Sequence, residues 1–546
     1  MRRIFCSVSV VSLAIIIFSA PAPACTNMIV TSSASEDGSV MITYTCDGEF
    51  LPHLRHIPAA DHKKDEYIEI KDWHGNIEGR IKQVPHTFAV TNLINERQVV
   101  IGETTFTGRK ELRNEDALLH YWQLMRLALQ RAATAREAVE VIADLVSEYG
   151  YSSTGESFSI GDKNEAWLME IIGTGPGGEG AVWVARRVPE GYICAHANKA
   201  RIGEFPLDDP QNCLYSDNVI DFAVKKGYYN PESGKPFNFS KAYCPATPQK
   251  LRYTATRVWS IFRRCAPSKK WPVDYHRGER GAKPYPLWIK PDKKLSLEDV
   301  IDIMRDHYEG TEYDMTEGVD AGPFGTPNRW RPITWKIDGT DYTWERPVST
   351  QQTGFSFVSQ SRSHLPDPIG GLLWYGVDDT YFTCYIPLYC GISDVPESYS
   401  RGRISEFSGD SAWWVFNFVA NFSNLRYSQM RNDIQAVQEE LEGKLISLQP
   451  AVEMTAERIL EEDEELLTAY LTDYSKTHAE MVVERFRELG KQLIRKYNDG
   501  YTQTRKGRPE ETGYPESWLR DVLKQRPDQF KLKSRGGDSL ETQMPY

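Results

Sequence analysis

Residues 24–47 read "ACTNMIVTSSASEDGSVMITYTCD", and the fold turns on how this stretch is read. Thr26 to Thr31 is a short run of strand character, "SSASEDGS" is turn-forming and carries Asp37-Gly38, and Val40 to Thr45 is a second strand-like run. The pattern predicts a β-hairpin. Partners in an antiparallel pair lie at equal distances on either side of the turn, and Cys25 and Asp47 have their midpoint at residue 36. Asp47 is therefore expected within a few residues of facing Cys25, in reach of a hydrogen bond to a charged group there.

Upstream, Arg2 and Arg3, an apolar stretch from Val8 to Phe18 and the ending Ala22-Pro23-Ala24 follow the order of a secretory signal peptide. The apolar stretch is shorter than the roughly 20 residues a membrane-spanning helix needs. Residues 1–24 are thus expected to be removed, leaving Cys25 as the first residue of an exported, periplasmic or extracellular protein. No later segment has a comparable apolar run, so no membrane span is expected. The formal net charge of −12 becomes −14 when Arg2 and Arg3 leave, which argues against a general grip on nucleic acid phosphates. The mature cysteines are Cys25, Cys46, Cys194, Cys213, Cys244, Cys265, Cys384 and Cys390, too dilute for a disulfide scaffold; Cys384 and Cys390 are the closest in sequence. There is no CxxC pair and no Cys/His cluster at zinc spacing, so neither metal nor cofactor is expected.

Beyond the hairpin, "HTFAVTNLI" and "QVVIGETTF" read as strands, and two helices follow, one around Asp116 to Gln130 and one opened by Thr134-x-x-Glu137 and closed near Gly150. "SFSIGDKNEAWLMEII", "GAVWVARRV" and "GYICAHAN" supply further strands. Strands, then helices, then strands indicate an α+β fold and not a βαβ series. From about Phe205 to Pro396 the chain is rich in Pro, Gly, Trp and Tyr, with short strand-like pieces such as "TYFTCYIPLYC". After it, Ile434, Val437, Leu441, Leu445 and Leu448 recur at helical intervals, as do Val482, Phe486, Leu489 and Leu493, and "LEEDEELL" reads as a solvated helix face.

Cleavage after Ala24 gives Cys25 a thiol and a free α-amine on one residue. With reference pKa values of about 8.5 and about 7.7, the amine can accept the thiol proton near neutral pH, directly or through water. Asp47, also readable as an ordinary strand-end turn residue in "CDGEF", is placed to orient that amine.

These residues resemble the start of the peptidase family C69 dipeptidases, within the N-terminal nucleophile (Ntn) hydrolases. The likeness continues in "TNLINERQVVIGETTFTGR", "LQRAATAREAVEVIADLVSEYGYSSTGESFSIGDKNEAWLMEIIG", "AVWVARRVPEGYICAHANKARIG" and "RVWSIF", in order over roughly residues 25 to 400. The resemblance implies a four-layer αββα sandwich at residues 25–400, followed by a mostly helical extension at 401–546. It also implies hydrolysis of dipeptide amide bonds without a metal, with Cys25 as nucleophile and Asp47 beside it. Asn198 in "AHANKARI" matches an asparagine that helps bind the oxyanion, and Arg257 in "TATRVWS" a late active-site arginine. One departure is Tyr44, where many members carry an arginine three residues before the aspartate. Its positive charge is missing, with Arg201 or Arg257 as possible substitutes.

His196 reads as structural, because a free amine on Cys25 makes a separate histidine base unnecessary. Thr104 and Thr105 are either oxyanion donors or routine strand residues, and Glu103 is uncommitted. Two rival functions stand beside the dipeptidase: a non-peptide amidase acting on bile-salt or penicillin V type amides by the same mechanism, and a secreted binding protein lipid-anchored through Cys25.

Overall fold

Asn27–Val30 (β1) and Met41–Asp47 (β2) form the expected antiparallel hairpin, with Ile29 opposite Ile42 and Val30 opposite Met41. A computed structural model describes residues 25–504 and 507–532; the signal peptide expected at residues 1–24 and its cleavage point lie outside the described residues.

The longer strands that follow are Val100–Thr107 (β3), Gly155–Gly161 (β4), Ala166–Gly173 (β5), Ala181–Arg187 (β6), Ile193–His196 (β7), Thr353–Ser361 (β8), Gly371–Val377 (β9) and Ile386–Tyr389 (β10). One seven-stranded sheet runs Trp288–Ile289, β7, β1, β2, β8, β9, β10. An eight-stranded sheet runs Cys213–Tyr215, β6, β5, β4, β3, then the short pieces Ile94–Asn95, Val90–Thr91 and His56–Ile57. Every pairing between these strands is antiparallel.

The sheets meet through β3 and β4 against β1 and β2. Gly102 on β3 marks the closest approach: a Cβ there would lie 2.5 Å from Asn27 Nδ2 and 3.2 Å from Tyr44 Cβ, so a side chain would push the sheets apart at this point. Helices Tyr121–Arg131 (α1) and Ala135–Tyr149 (α2) pack on the eight-stranded sheet, while Pro248–Cys265 (α3) and Leu297–Met304 (α4) pack on β7 and β8 of the other. Antiparallel sheets with segregated helices make this an α+β fold, as the order of elements predicts.

Local chemistry explains where the elements match the sequence reading and where they differ. Thr134 caps α2, its hydroxyl accepting from Glu137 N at 3.1 Å. The Glu137 carboxylate reaches back to Ala133 N at 2.8 Å, one residue before the position a capping box uses, and Gly150 at φ 76° ends the helix. "HTFAVTNLI" is not one strand but falls into two-residue pieces, with left-handed Asn92 separating Val90–Thr91 from Ile94–Asn95. The first helix starts at Tyr121, later than Asp116, behind the His120 cap.

The region read as short strand pieces contains α3, 18 residues long. Thr247 caps it with Pro248 in its first turn. Its buried stripe includes Leu251, Ala255, Val258, Ile261 and Phe262, broken up in the text by Lys250, Arg252, Arg257, Arg263 and Arg264.

Ala412–Ser423 (α5) packs on β9, and Tyr427–Glu462 (α6) and Glu464–Lys496 (α7) bury the predicted stripes against β10 and α5, Leu448 only partly. "LEEDEELL" is solvent-exposed over residues 461–466, as expected, and forms the joint between α6 and α7, where Asp463 caps α7 by accepting from Leu466 N at 3.0 Å. Arg305 holds α6 with a bidentate pair of bonds to Glu442, 2.7 and 3.0 Å. All eight described cysteines are free, and no described helix is long and apolar enough to cross a membrane.

Candidate active site

Cys25 lies at the head of β1, fully buried between the sheets. Thr26 bridges Thr45, and carrying that register back one residue sets Cys25 across from Cys46, with Asp47 the next position along. The hairpin arithmetic placed Asp47 within one residue of its observed register.

Arg257 projects from the middle of α3 and is itself completely buried. Its Nη1 donates to the Cys25 carbonyl at 2.8 Å and to Thr26 Oγ1 at 2.9 Å, while Nη2 donates to Asn198 Oδ1 at 2.8 Å. Burial, with Arg346 nearby, lowers its pKa to about 10. Asn198 follows β7 in a left-handed conformation, φ 55°, and its Nδ2 donates to the Thr105 carbonyl at 2.8 Å. One guanidinium thus fixes the Cys25 backbone and the Asn198 carboxamide together.

Asp47 accepts from Thr353 Oγ1 at 2.7 Å and Arg346 Nη2 at 2.9 Å. Burial raises its pKa to about 6, against the opposing pull of Arg346 and Thr353. Arg346 also donates to Tyr253 OH at 2.7 Å.

The opposite flank of Cys25 is acidic. Its Sγ is 3.5 Å from Glu103 Oε1, which also accepts a short bond from Tyr44 OH. Glu156 adjoins Glu103 and accepts from Thr105 Oγ1 at 3.0 Å. Burial raises both carboxyls, and the two reinforce each other at Glu156. The Cys25 thiol is pushed well up by burial and then by Cys46, Glu103 and Asp47, so a standing thiolate is disfavoured.

Cys25, Asp47, Asn198 and Arg257 therefore share one buried polar region. His196 is held between Thr104 Oγ1 and Ser159 Oγ, 2.7 Å from each, and burial drops its pKa to about 3. Of the two arginines weighed against the Tyr44 departure, Arg257 is at the site. Arg201 spends its guanidinium on the carbonyls of Ala195, Tyr285, Pro286 and Leu287. Arg346, Thr353 and Glu156 were not singled out by the sequence. Arg346 stands in the Pro- and Trp-rich region whose text gives no order.

Comparison with known proteins matches residues 66–440 to the model of peptidase family C69. That span holds Glu103, Asn198, Arg257 and Arg346 and begins after Cys25 and Asp47. The chain is 26% identical over 487 residues to the "Probable dipeptidase" of Latilactobacillus sakei, covering 84% of this chain and 95% of that protein. It is 26% identical over 409 residues to the "Probable dipeptidase" of Salmonella dublin, covering 70% and 84%. With "Dipeptidase A" of Lactobacillus helveticus it shares 21% over 426 residues, covering 74% and 82%.

Proposed function

Because the chain belongs to peptidase family C69 and is a peptide-bond hydrolase, we propose that it is an exported cysteine dipeptidase whose nucleophile, Cys25, is unmasked by removal of residues 1–24. The observation that carries this reading is the grip of Arg257 on both the Cys25 carbonyl and the Asn198 carboxamide. Such a clamp holds the head of β1 and a candidate oxyanion donor in fixed relation. We read the two stacked antiparallel sheets and their flanking helices as the Ntn four-layer sandwich.

In this mechanism the thiol proton leaves as the sulfur attacks, since burial and three neighbouring acidic groups oppose a pre-formed thiolate. The Cys25 α-amine takes that proton, and Asp47, fixed by Arg346 and Thr353, orients the amine. Asn198 and backbone N–H groups bind the oxyanion, the amine returns the proton to the leaving group, and water releases the acyl-enzyme.

Hydrolysis of a panel of unblocked dipeptides, bile-salt conjugates and penicillin V tests this assignment. Dipeptides are the preferred substrates, and Cys25→Ala reduces their hydrolysis to background. Preference for the acyl amides would make the protein an amidase, full activity in Cys25→Ala would remove the thiol mechanism, and a lipid mass on Cys25 would leave neither nucleophile nor base.

A further inference from the structure

We propose that Cys25, Cys46 and Glu103 form a binding site for a soft divalent cation of the Zn2+ class, which shuts the enzyme off by occupying its nucleophile. One donor atom from each residue lies within 4.8 Å of the other two, and the Cys25 Sγ to Glu103 Oε1 separation is 3.5 Å. Zn–S bonds of about 2.3 Å and Zn–O bonds of about 2.0–2.2 Å put donors around a tetrahedral ion roughly 3.6–3.8 Å apart, so little movement is required. Cys25 just ahead of β1, Cys46 on β2 and Glu103 on β3 are held in place by the paired strands and the Gly102 contact.

Two independent observations point to a cation. Glu103 and Glu156 are buried side by side, with Glu156 hydrogen-bonded to Glu103, and beyond that contact their Oε2 atoms have no partner, so only a proton occupies acceptor capacity that a cation can take. Among the described residues neither carboxylate forms an ion pair with Lys or Arg, and the group on Glu103 is the neutral Tyr44 hydroxyl. A dication takes the place of the protons that burial retains on this flank.

Binding forms two metal–sulfur bonds and one metal–oxygen bond and releases the thiol protons to solvent, so no oxidant takes part. The fourth donor is the α-amine of processed Cys25, which closes a five-membered chelate with its own sulfur. This fourth bond rests on the proposed maturation; the three side-chain ligands do not.

The test titrates the processed, reduced, metal-free enzyme with Co2+, read by thiolate-to-metal absorption, and with Zn2+, read against a chromogenic chelator. One ion binds per chain with a thiolate band, Zn2+ abolishes dipeptide hydrolysis, and a chelator restores it. Cys46→Ser binds Zn2+ more weakly by over about 100-fold, more than loss of an outer partner costs. In the unaltered enzyme, Zn2+ protects both Cys25 and Cys46 from iodoacetamide, a readout that needs no variant. Absence of the thiolate band, alkylation of Cys46 at an unchanged rate, or equal Zn2+ inhibition of Cys46→Ser would overturn the site. The band is read without turnover, so its absence leaves the dipeptidase assignment standing, and failure to hydrolyse dipeptides leaves the band to be measured.

Discussion

Cys25 sits between two buried polar groups of opposite character. Toward Asp47, each charge meets a partner: the carboxylate has Arg346 and Thr353, and Arg257 has the Cys25 carbonyl and Asn198. Toward Glu103, two raised carboxyls are hydrogen-bonded to each other, and otherwise only hydroxyls and a thiol donate to them. The first arrangement is a scaffold whose geometry is fixed before anything binds. The second is a set of buried acids that burial holds toward their protonated forms, with no cation beside them, the kind of perturbed group found where a ligand arrives.

If the Asp47 side is a scaffold, breaking it should damage the fold as well as the rate. Arg346→Met leaves Asp47 buried without its cation and is expected to lower stability by about 3–5 kcal/mol in denaturant unfolding. An unchanged midpoint would mean the pair does not hold this flank. Asn198→Ala removes a suspected oxyanion donor and is expected to reduce kcat by about 10²–10³, with KM little altered; a defect confined to KM would assign Asn198 to substrate binding instead.

The pH dependence of Asp47 sharpens the contrast further. Its folded pKa of about 6 lies above its ordinary value of 3.8, so the folded state holds the proton more tightly than the unfolded chain. The resulting stability is complete below about pH 3.8 and lost as pH rises through about 6, a change of about 3 kcal/mol. Unfolding of the wild type and Asp47→Asn at several pH values should show their difference shrinking by that amount over this window, and a constant difference would contradict the burial argument. The smallest effect belongs to a position far from both flanks: Thr134→Ala, which removes the α2 cap, should cost about 1 kcal/mol and leave turnover unchanged.

Features set by short spacing were legible in the sequence. The hairpin follows from a turn between two strand-like runs, and its symmetry brought Asp47 within one residue of its register with Cys25. The α2 cap and its closing glycine were likewise local. Long-range features were not legible. Arg346 meets Asp47 across 299 residues, and nothing local distinguishes it from other arginines. Helix α3 was hidden by cations interspersed along it, the buried Arg257 among them, although Thr247-Pro248 was an available start signal. The Cys25, Cys46 and Glu103 cluster has no metal-ligand spacing because its donors come from three strands and meet only when the sheets stack.

The central claim is that the amine freed at Cys25 activates the sulfur on the same residue. Its most direct test measures dipeptide turnover for two chains whose first residues are verified by mass spectrometry, one beginning at Cys25 and one retaining Ala24. Hydrolysis by the first alone is the predicted result; equal turnover by the chain that keeps Ala24 would contradict the account.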